Sequence, residues 1–134
     1  MRITKAEATP SRPANADYFT GSVWQEPVIT TPQGPPVSAL RVHFAPGART
    51  NWHTHPAGQT LHVLSGTGLV QTRGEPARQI APGDTVWIPP GEEHWHGARP
   101  DRAMVHFAMQ AVVDGSAADW LEPVSEAEYA AAGD

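Results

Sequence analysis

The segment 47–59 concentrates side chains that can bind a metal ion. His53 and His55 are separated by one residue, so in an extended strand both imidazoles point to the same side and can reach one ion. Imidazole is a favoured ligand for zinc, iron, manganese, nickel and copper. Because the turn at 56–58 lets the chain double back, we expect Gln59 beside the two rings, where its side-chain carbonyl can ligate a metal without adding charge. The histidine pair alone is equally typical of a polar strand face.

A second histidine pair, His94 and His96, follows a Pro-Pro-Gly turn at 89–91. Both side chains face the same side of a strand, so we expect one to bind the metal and the other to lie beside it, available for proton transfer. The place of His94 next to the turn favours it as the ligand. Glu92 and Glu93 are tempting general bases, but in a turn they are expected to be exposed.

Short strands joined by turns must position these histidines. The 134 residues include 14 Pro and 12 Gly, spread as pairs between short apolar runs, which predicts an all-β sandwich or small barrel of about eight strands. The two runs that flank Ser65–Thr67 are interpreted as a β-hairpin. The strands predicted from alternation and composition are 23–29, 37–44, 60–64, 68–72, 85–88 and 103–113.

Two of these strands carry polar residues on faces that are otherwise apolar. Alternation in strand 37–44 places Leu40, Val42 and Phe44 on one face, with Arg41 and His43 opposite. In strand 103–113 the corresponding face carries Met104, His106, Ala108 and Gln110. A lone histidine in an apolar strand is more typical of a core residue, but the face that His106 shares with Gln110 favours a place beside the site.

The two ends of the chain differ from the centre. Residues 1–18 are polar and contain two prolines, and we expect them to form an arm ordered by packing on a second subunit. The sequence 125–128, Ser-Glu-Ala-Glu, has the spacing of a capping box and predicts a short C-terminal helix. We therefore expect a single domain over 1–134 with its barrel core in 37–113.

Composition narrows the classes of function. The net charge of −5, from 14 acidic and 9 basic residues without a basic cluster, argues against nucleic-acid binding. With no cysteine, thiolate metal sites and thiol catalysis are excluded, so a metal must be bound by nitrogen and oxygen. Neither an apolar leader nor an apolar run of about 18 residues is seen, and we expect a soluble cytoplasmic protein without membrane contact.

These residues and their spacing resemble the two motifs of the metal-binding cupins. The first motif, G-x5-H-x-H-x3,4-E-x6-G, is matched by Gly47, His53, His55 and Gly66, with Gln59 in place of the glutamate. The second, G-x5-P-x-G-x2-H-x3-N, is matched by Gly83, Pro89, Gly91 and His94, with Ala98 in place of the asparagine. This resemblance implies a cupin double-stranded β-helix, or jelly-roll barrel.

Several longer runs are similar to the small bacterial cupin hydroxynitrile lyases, among them 44–50, 52–56, 58–61 and 94–98. That resemblance implies a divalent ion, manganese first and iron, zinc or nickel as alternatives, held by His53, His55, His94 and Gln59. It also implies roles near the metal for Thr50, His96 and His106, and a pocket lined by Leu40, Val42 and Gln110. From the residues alone, Thr50 is more typical of a turn residue.

The implied activity is a lyase that reversibly splits an aromatic cyanohydrin such as mandelonitrile into an aldehyde and hydrogen cyanide. A neutral His96 or His106 would move the hydroxyl proton and Thr50 would orient the oxygen. The alternatives are a cupin dioxygenase or isomerase, a retro-aldol or nitroaldol enzyme, and a non-enzymatic module that binds a small ligand. The polar arm and the tryptophans predict a homodimer or homotetramer.

Other conspicuous residues are assigned structural places. His62 is offset by three residues from Gln59 and is expected to face away from the metal. Trp52, Trp87 and Trp95 are expected in sheet or interface packing, and Arg49 is expected to be a solvated or interface charge.

Overall fold

Two antiparallel sheets face each other in this computed structural model, which describes residues 1–133. Alternating apolar residues form the strands, and Gly and Pro turns join them, which confirms the all-β prediction. A 3₁₀ turn at Ala6–Ala8 precedes them. The elements are β1 (Arg12–Pro13), β2 (Phe19–Thr20), β3 (Val23–Thr30), β4 (Val37–Phe44), β5 (Arg49–Thr50), β6 (His53–Thr54), β7 (Gln59–Gly66), β8 (Gly68–Thr72), β9 (Arg78–Ile80), β10 (Thr85–Ile88), β11 (His94–Ala98), β12 (Met104–Ala111), β13 (Asp119–Trp120) and α1 (Glu126–Ala132).

The strands form two sheets with the following orders. One sheet has the order β1-β3-β4-β12-β7-β10. The other has the order β13-β6-β11-β5-β2, and β8 adds to it by pairing with both β11 and β9. The four longest strands, β3, β4, β7 and β12, all lie in the first sheet, and the core fills the space between it and the second sheet. No helix within residues 1–133 is long and apolar enough to cross a membrane.

Strands β4 and β12 carry the inward face predicted for them. Their register sets His106 opposite Val42, and Ala108 opposite Leu40. Because paired residues of an antiparallel sheet share a face, these side chains point together into the barrel. Phe44 and Met104 close the apolar end of this face and are buried.

The predicted hairpin around Ser65–Thr67 is wrong. Strand β7 pairs with β12 and β10, whereas β8 pairs with β11 and β9, so the chain crosses between the sheets at this point. Gly66 makes the crossing possible, because its φ of 74° is left-handed and a Cβ there would lie 1.9 Å from the carbonyl oxygen of Ala103. Alternation shows which face of a strand is apolar but not which strand it pairs with.

The N-terminal segment lies partly on this chain's own barrel. Arg12 pairs with Gln25 in β3, and Phe19 pairs with Thr50 in β5. Unpaired strand edges offer free backbone groups, and the segment satisfies them without a second chain. Arg12–Pro13 and Phe19–Thr20 are therefore ordered in part by this chain's own strands. Packing of the arm 1–18 on a second subunit stays a prediction.

The C-terminal helix forms as predicted, but it changes the environment of Arg49. The capping box is present, with the amide of Glu128 donating to Ser125 Oγ at 3.1 Å. Arg49 was expected to be a solvated or interface charge, and the solvated alternative is wrong: it is 3% exposed, and its guanidinium lies 4.2 Å from the ring centroid of Tyr129. Its Nη2 donates to the carbonyl oxygen of Val124 at 3.0 Å. The C-terminal segment covers this strand, a contact that the local sequence does not show.

Candidate metal centre and substrate pocket

The structure brings the four predicted ligands together. His53 of β6 is the direct strand partner of His94 of β11, and the centroids of their rings are 4.2 Å apart. The ring of His55 lies 4.9 Å from that of His53. Gln59 follows the turn closed by Gly58, whose φ is 79°, and begins β7. All four side chains are buried.

Each of the three histidine rings is held through its Nδ1 atom by a backbone carbonyl oxygen. The partners are Asn51 at 2.9 Å for His53, Ala117 at 2.6 Å for His55 and Glu92 at 3.0 Å for His94. A carbonyl oxygen only accepts, so Nδ1 carries the proton and Nε2 keeps its lone pair. Such second partners are typical of metal-bound histidines, whose orientation and tautomer they set.

The side-chain carbonyl oxygen of Gln59 faces the Nε2 atom of His94. Its Nε2 donates to Gln110 Oε1 at 3.1 Å, and Gln110 Nε2 donates in turn to the carbonyl oxygen of Ser38 at 3.2 Å. Gln59 Oε1 lies 3.2 Å from His94 Nε2. This chain of hydrogen bonds fixes which end of the amide faces the histidines. The fourth candidate ligand is therefore an uncharged oxygen.

The protonation of the rings suits a divalent ion. Burial lowers the pKa of His94 to about 4, and burial, followed by the charge of neighbouring rings, lowers the pKa of His53 well below its ordinary value. Burial also lowers the pKa of His55. In the described part of the chain, His55 Nε2 is buried without a hydrogen-bond partner. Neutral imidazoles with free Nε2 lone pairs are what metal binding needs, so these residues fit a divalent ion.

A second buried pair, His96 and His106, lies beside the candidate ligands. His106 Nε2 is 2.8 Å from His96 Nδ1. Burial lowers the pKa of His106 to about 4, and burial, then neighbouring histidines, lowers the pKa of His96 well below its ordinary value. Both imidazoles are therefore neutral at neutral pH and can take up a proton. Within the described residues, the histidines that offer nitrogens within 4.8 Å of one another are His53, His94 and His96, a set that contains His96 in place of the predicted ligand His55.

Thr50 links this pair to the barrel wall. The backbone N–H of His96 donates to Thr50 Oγ1 at 3.2 Å, and the threonine is buried in β5. A hydroxyl that accepts one hydrogen bond still has a proton to donate. Thr50 can therefore donate to an oxygen atom in the pocket.

A cavity of about 410 Å³ opens onto these groups. The predicted pocket residues Leu40, Val42 and Gln110 all line it. The site residues that also line it are Thr50, His53, His55, Gln59, His96 and His106. A larger hollow of about 560 Å³ contains Arg78, Asp84 and Trp87, and among the predicted site residues it touches His94 alone. The smaller cavity is thus the one that reaches the candidate chemistry.

Sequence reasoning missed the aromatic part of this cavity. Tyr18, Phe19 and Trp120 line it, although they come from the two terminal segments. The ring of Trp120 stacks on that of His53, with the centroids 4.6 Å apart. Large aromatic residues within polar terminal stretches were the signal that could have found them.

The remaining residues lie mostly where their patterns placed them. His62 is exposed and bonds to Thr85 Oγ1 at 2.9 Å, away from the cavity. Trp52 and Trp95 are buried in packing, whereas Trp87 is exposed. Glu93 forms an ion pair with Arg73 in the turn before β11.

Comparison with known proteins agrees with the geometry. The family model described as the cupin domain matches residues 40–109. The chain is 47% identical over 129 residues to a protein of Granulicella tundricola named (R)-mandelonitrile lyase, which covers 96% of this chain and 98% of that protein. A solved cupin-like protein from Thermotoga maritima is 46% identical, with a TM-score of 0.83 over 87% of this chain and 89% of that one. A polyketide cyclase from Streptomyces resistomycificus, 16% identical with a TM-score of 0.76 over 96% of this chain and 90% of its own, shares the fold.

Proposed function

The chain belongs to the cupin family, and we propose that within it the protein is a metal-dependent hydroxynitrile lyase. Its reaction would be the reversible cleavage of an aromatic cyanohydrin such as mandelonitrile to an aldehyde and hydrogen cyanide. The 47% identity to the Granulicella tundricola (R)-mandelonitrile lyase, over nearly the whole of both chains, supports this lyase class. The observation that carries the proposal is the meeting of free imidazole nitrogens with a neutral amide oxygen at one apolar cavity.

Three histidines and one glutamine would hold the ion. The Nε2 atoms of His53, His55 and His94 and Oε1 of Gln59 are the donors, and manganese is the ion that we propose, with iron, zinc and nickel as alternatives. A divalent ion bound there would supply Lewis acidity at the cavity floor. With four neutral donors its charge would stay uncompensated, which favours anions such as cyanide.

The chain's own residues would move the proton. His96 Nε2 is buried with no partner within residues 1–133, and it would accept the proton of the substrate hydroxyl. His106 would share the resulting charge through its 2.8 Å contact with His96 Nδ1. As the carbonyl forms, the bond to the nitrile carbon breaks and its electron pair leaves with cyanide, which takes the proton back as hydrogen cyanide. Thr50 would hold the oxygen by a hydrogen bond.

Exposed apolar residues support the proposed homodimer or homotetramer. Trp24, Leu64, Trp87 and Met109 are 42–59% exposed, and all belong to the sheet that contains β3, β7, β10 and β12. Large apolar side chains on one sheet face are typical of a subunit contact.

Metal analysis beside a mandelonitrile cleavage assay tests the proposal. Purified protein is measured for bound metals by elemental analysis, stripped with a chelator, and reloaded with one divalent ion at a time. We expect cleavage to disappear on stripping and to return best with manganese. Full cleavage by stripped protein would overturn the metal dependence. Absence of cleavage in the reloaded protein would overturn the lyase activity.

A further inference from the structure

We propose that Tyr18 and Trp120, one from each end of the chain, form an aromatic wall that selects substrates with an aryl ring. This inference rests on the proposed function, because it names the groups that set the substrate class of that site. Both residues line the 410 Å³ cavity together with the candidate ligands His53, His55 and Gln59. The term aromatic wall is used below for these two residues.

The two wall residues stack on each other, and Trp120 also stacks on His53, a candidate metal ligand. The ring of His53 lies 4.6 Å from that of Trp120, with an interplanar angle of 29°, and Trp120 lies 4.7 Å from Tyr18 at 7°. Trp120 therefore stacks with both the His53 ring and the Tyr18 ring. Both wall residues line the cavity, so their aromatic surface can contact a bound ring.

Aromatic side chains in a cavity wall discriminate between aromatic and saturated rings. Aromatic edges carry partial positive charge and aromatic faces partial negative charge, so an aryl ring gains an edge-to-face contact that a cyclohexyl ring of similar size does not. The cavity also contains Leu40, Val42 and Ala108, which offer apolar surface to either ring equally. Discrimination between the two kinds of ring would therefore come from the aromatic wall.

Asn51 fixes the wall to the site. Its buried side-chain amide donates to the carbonyl oxygens of Asp17, at 3.0 Å, and Leu121, at 3.1 Å, which are the neighbours of the two wall residues in the chain. Its backbone N–H donates to the carbonyl oxygen of Tyr18 at 2.8 Å, and its own carbonyl accepts from His53 Nδ1. Strand pairing adds a further tie, because Trp120 is the direct partner of His53. These contacts hold the segments around Tyr18 and Trp120 beside Asn51 and His53.

Paired substrates test the wall directly. The variants Trp120→Leu and Tyr18→Leu remove one ring each, Trp120→Phe keeps an aromatic edge, and Trp24→Leu makes the same change at an exposed residue that does not line the cavity. For each metal-loaded variant, kcat/KM is measured for mandelonitrile and for the cyanohydrin of cyclohexanecarbaldehyde. We expect the aryl-to-cyclohexyl ratio to fall about threefold to tenfold in both leucine variants. Trp120→Phe should retain most of the ratio and Trp24→Leu all of it.

Two further measurements separate the wall from the metal and from turnover. Elemental analysis shows whether the change beside His53 has reduced metal content, and Tyr18→Leu, one ring further from that histidine, tests the wall if Trp120→Leu does not fold. Calorimetric titration with benzyl alcohol and with cyclohexylmethanol measures ring preference without catalysis. An unchanged ratio in folded, metal-loaded leucine variants would overturn the aromatic wall and leave the lyase proposal standing. Preferential binding of benzyl alcohol that the leucine variants lose, by a protein that cleaves no cyanohydrin, would support the wall and overturn the lyase proposal.

Discussion

His106 Nε2 lies 2.8 Å from His96 Nδ1, and both rings are buried beside the candidate metal ligands. Two neutral imidazoles in contact can share one added proton, which neither could hold easily alone in an apolar setting. The contact joins β12 to β11, which belong to different sheets, so it depends on how the sheets face each other. His96 and His106 would therefore move protons, whereas His53, His55, His94 and Gln59 would hold the metal.

The substitution His106→Ala should leave metal content unchanged and lower kcat by about a hundredfold, because His96 would lose the group that shares its proton. Elemental analysis and mandelonitrile cleavage measure the two effects. His62→Ala is the matched control, since His62 is exposed and bonds to Thr85. Loss of metal from His106→Ala would show that this histidine belongs to the ligand set instead.

The substitutions His53→Ala and His94→Ala should each abolish both metal binding and cleavage. Each removes one of the candidate donors, which are direct strand partners. Elemental analysis after dialysis gives the metal content, and circular dichroism shows whether the barrel is intact. A folded His94→Ala protein with a full complement of metal would contradict the proposed ligand set.

The substitution Gln59→Glu should retain metal and weaken the binding of cyanide about tenfold or more, because it adds a negative charge beside the anion site. Titration of the metal-loaded protein with cyanide measures the affinity. Gln79→Glu adds the same charge at an exposed residue outside the 410 Å³ cavity and serves as the control. Equal cyanide affinity in Gln59→Glu and the unchanged protein would show that the neutral amide does not favour anions.

Glu26 should make stability depend on pH. Hydrogen bonds from Ser11, then Arg41 and His43, lower the pKa of its carboxyl from 4.5 to about 2 in the folded protein. The contribution of this carboxylate to the free energy of unfolding is therefore complete above pH 4.5, and it is lost as the pH falls from there towards 2.

Urea unfolding of Glu26→Gln beside the unchanged protein measures this contribution. At pH 7 we expect the variant to be less stable by about 1 kcal/mol, allowing for solvent screening, and the difference should shrink steadily below pH 4.5. Glu7→Gln removes the same charge at an exposed residue and controls for net charge. A difference that is the same at pH 7 and pH 3 would show that the carboxylate is not stabilised in the fold.

The substitution Arg49→Leu should destabilise the protein by about 2–3 kcal/mol, because it leaves the buried carbonyl of Val124 without its donor and removes the contact with Tyr129. Tyr129→Phe, which loses one hydrogen bond to Ala98, should cost about 1 kcal/mol. Urea unfolding measures both. An Arg49→Leu protein as stable as the unchanged one would mean that the C-terminal segment does not depend on this side chain.

Patterns that are complete within one short segment were predicted well. Strands β4 and β10 have the predicted bounds, because alternation and flanking turns are local properties. The helix start at Ser125 was likewise predicted, since a capping box lies within four residues. The wrong predictions, the hairpin at Ser65–Thr67 and a solvated Arg49, both concern which distant segment lies alongside.

For the site, the sequence by itself determined the kinds of donor atoms and their spacing: two histidines one residue apart, a glutamine after a turn, and a second histidine pair. It also determined that no thiolate could take part. Residue type and strand period decide these points, and neither depends on distant contacts.

Only the tertiary structure decided how these groups are used. Backbone carbonyls from Asn51, Glu92 and Ala117 set which nitrogen of each ring is free, and sheet facing set His106 against His96. It also brought Trp120 onto the ring of His53 and Tyr18 onto the ring of Trp120, although the two aromatic residues are about a hundred positions apart in the chain. Hydrogen bonds and ring stacking act over a few ångströms in space, so they join residues that a local pattern in the sequence does not connect.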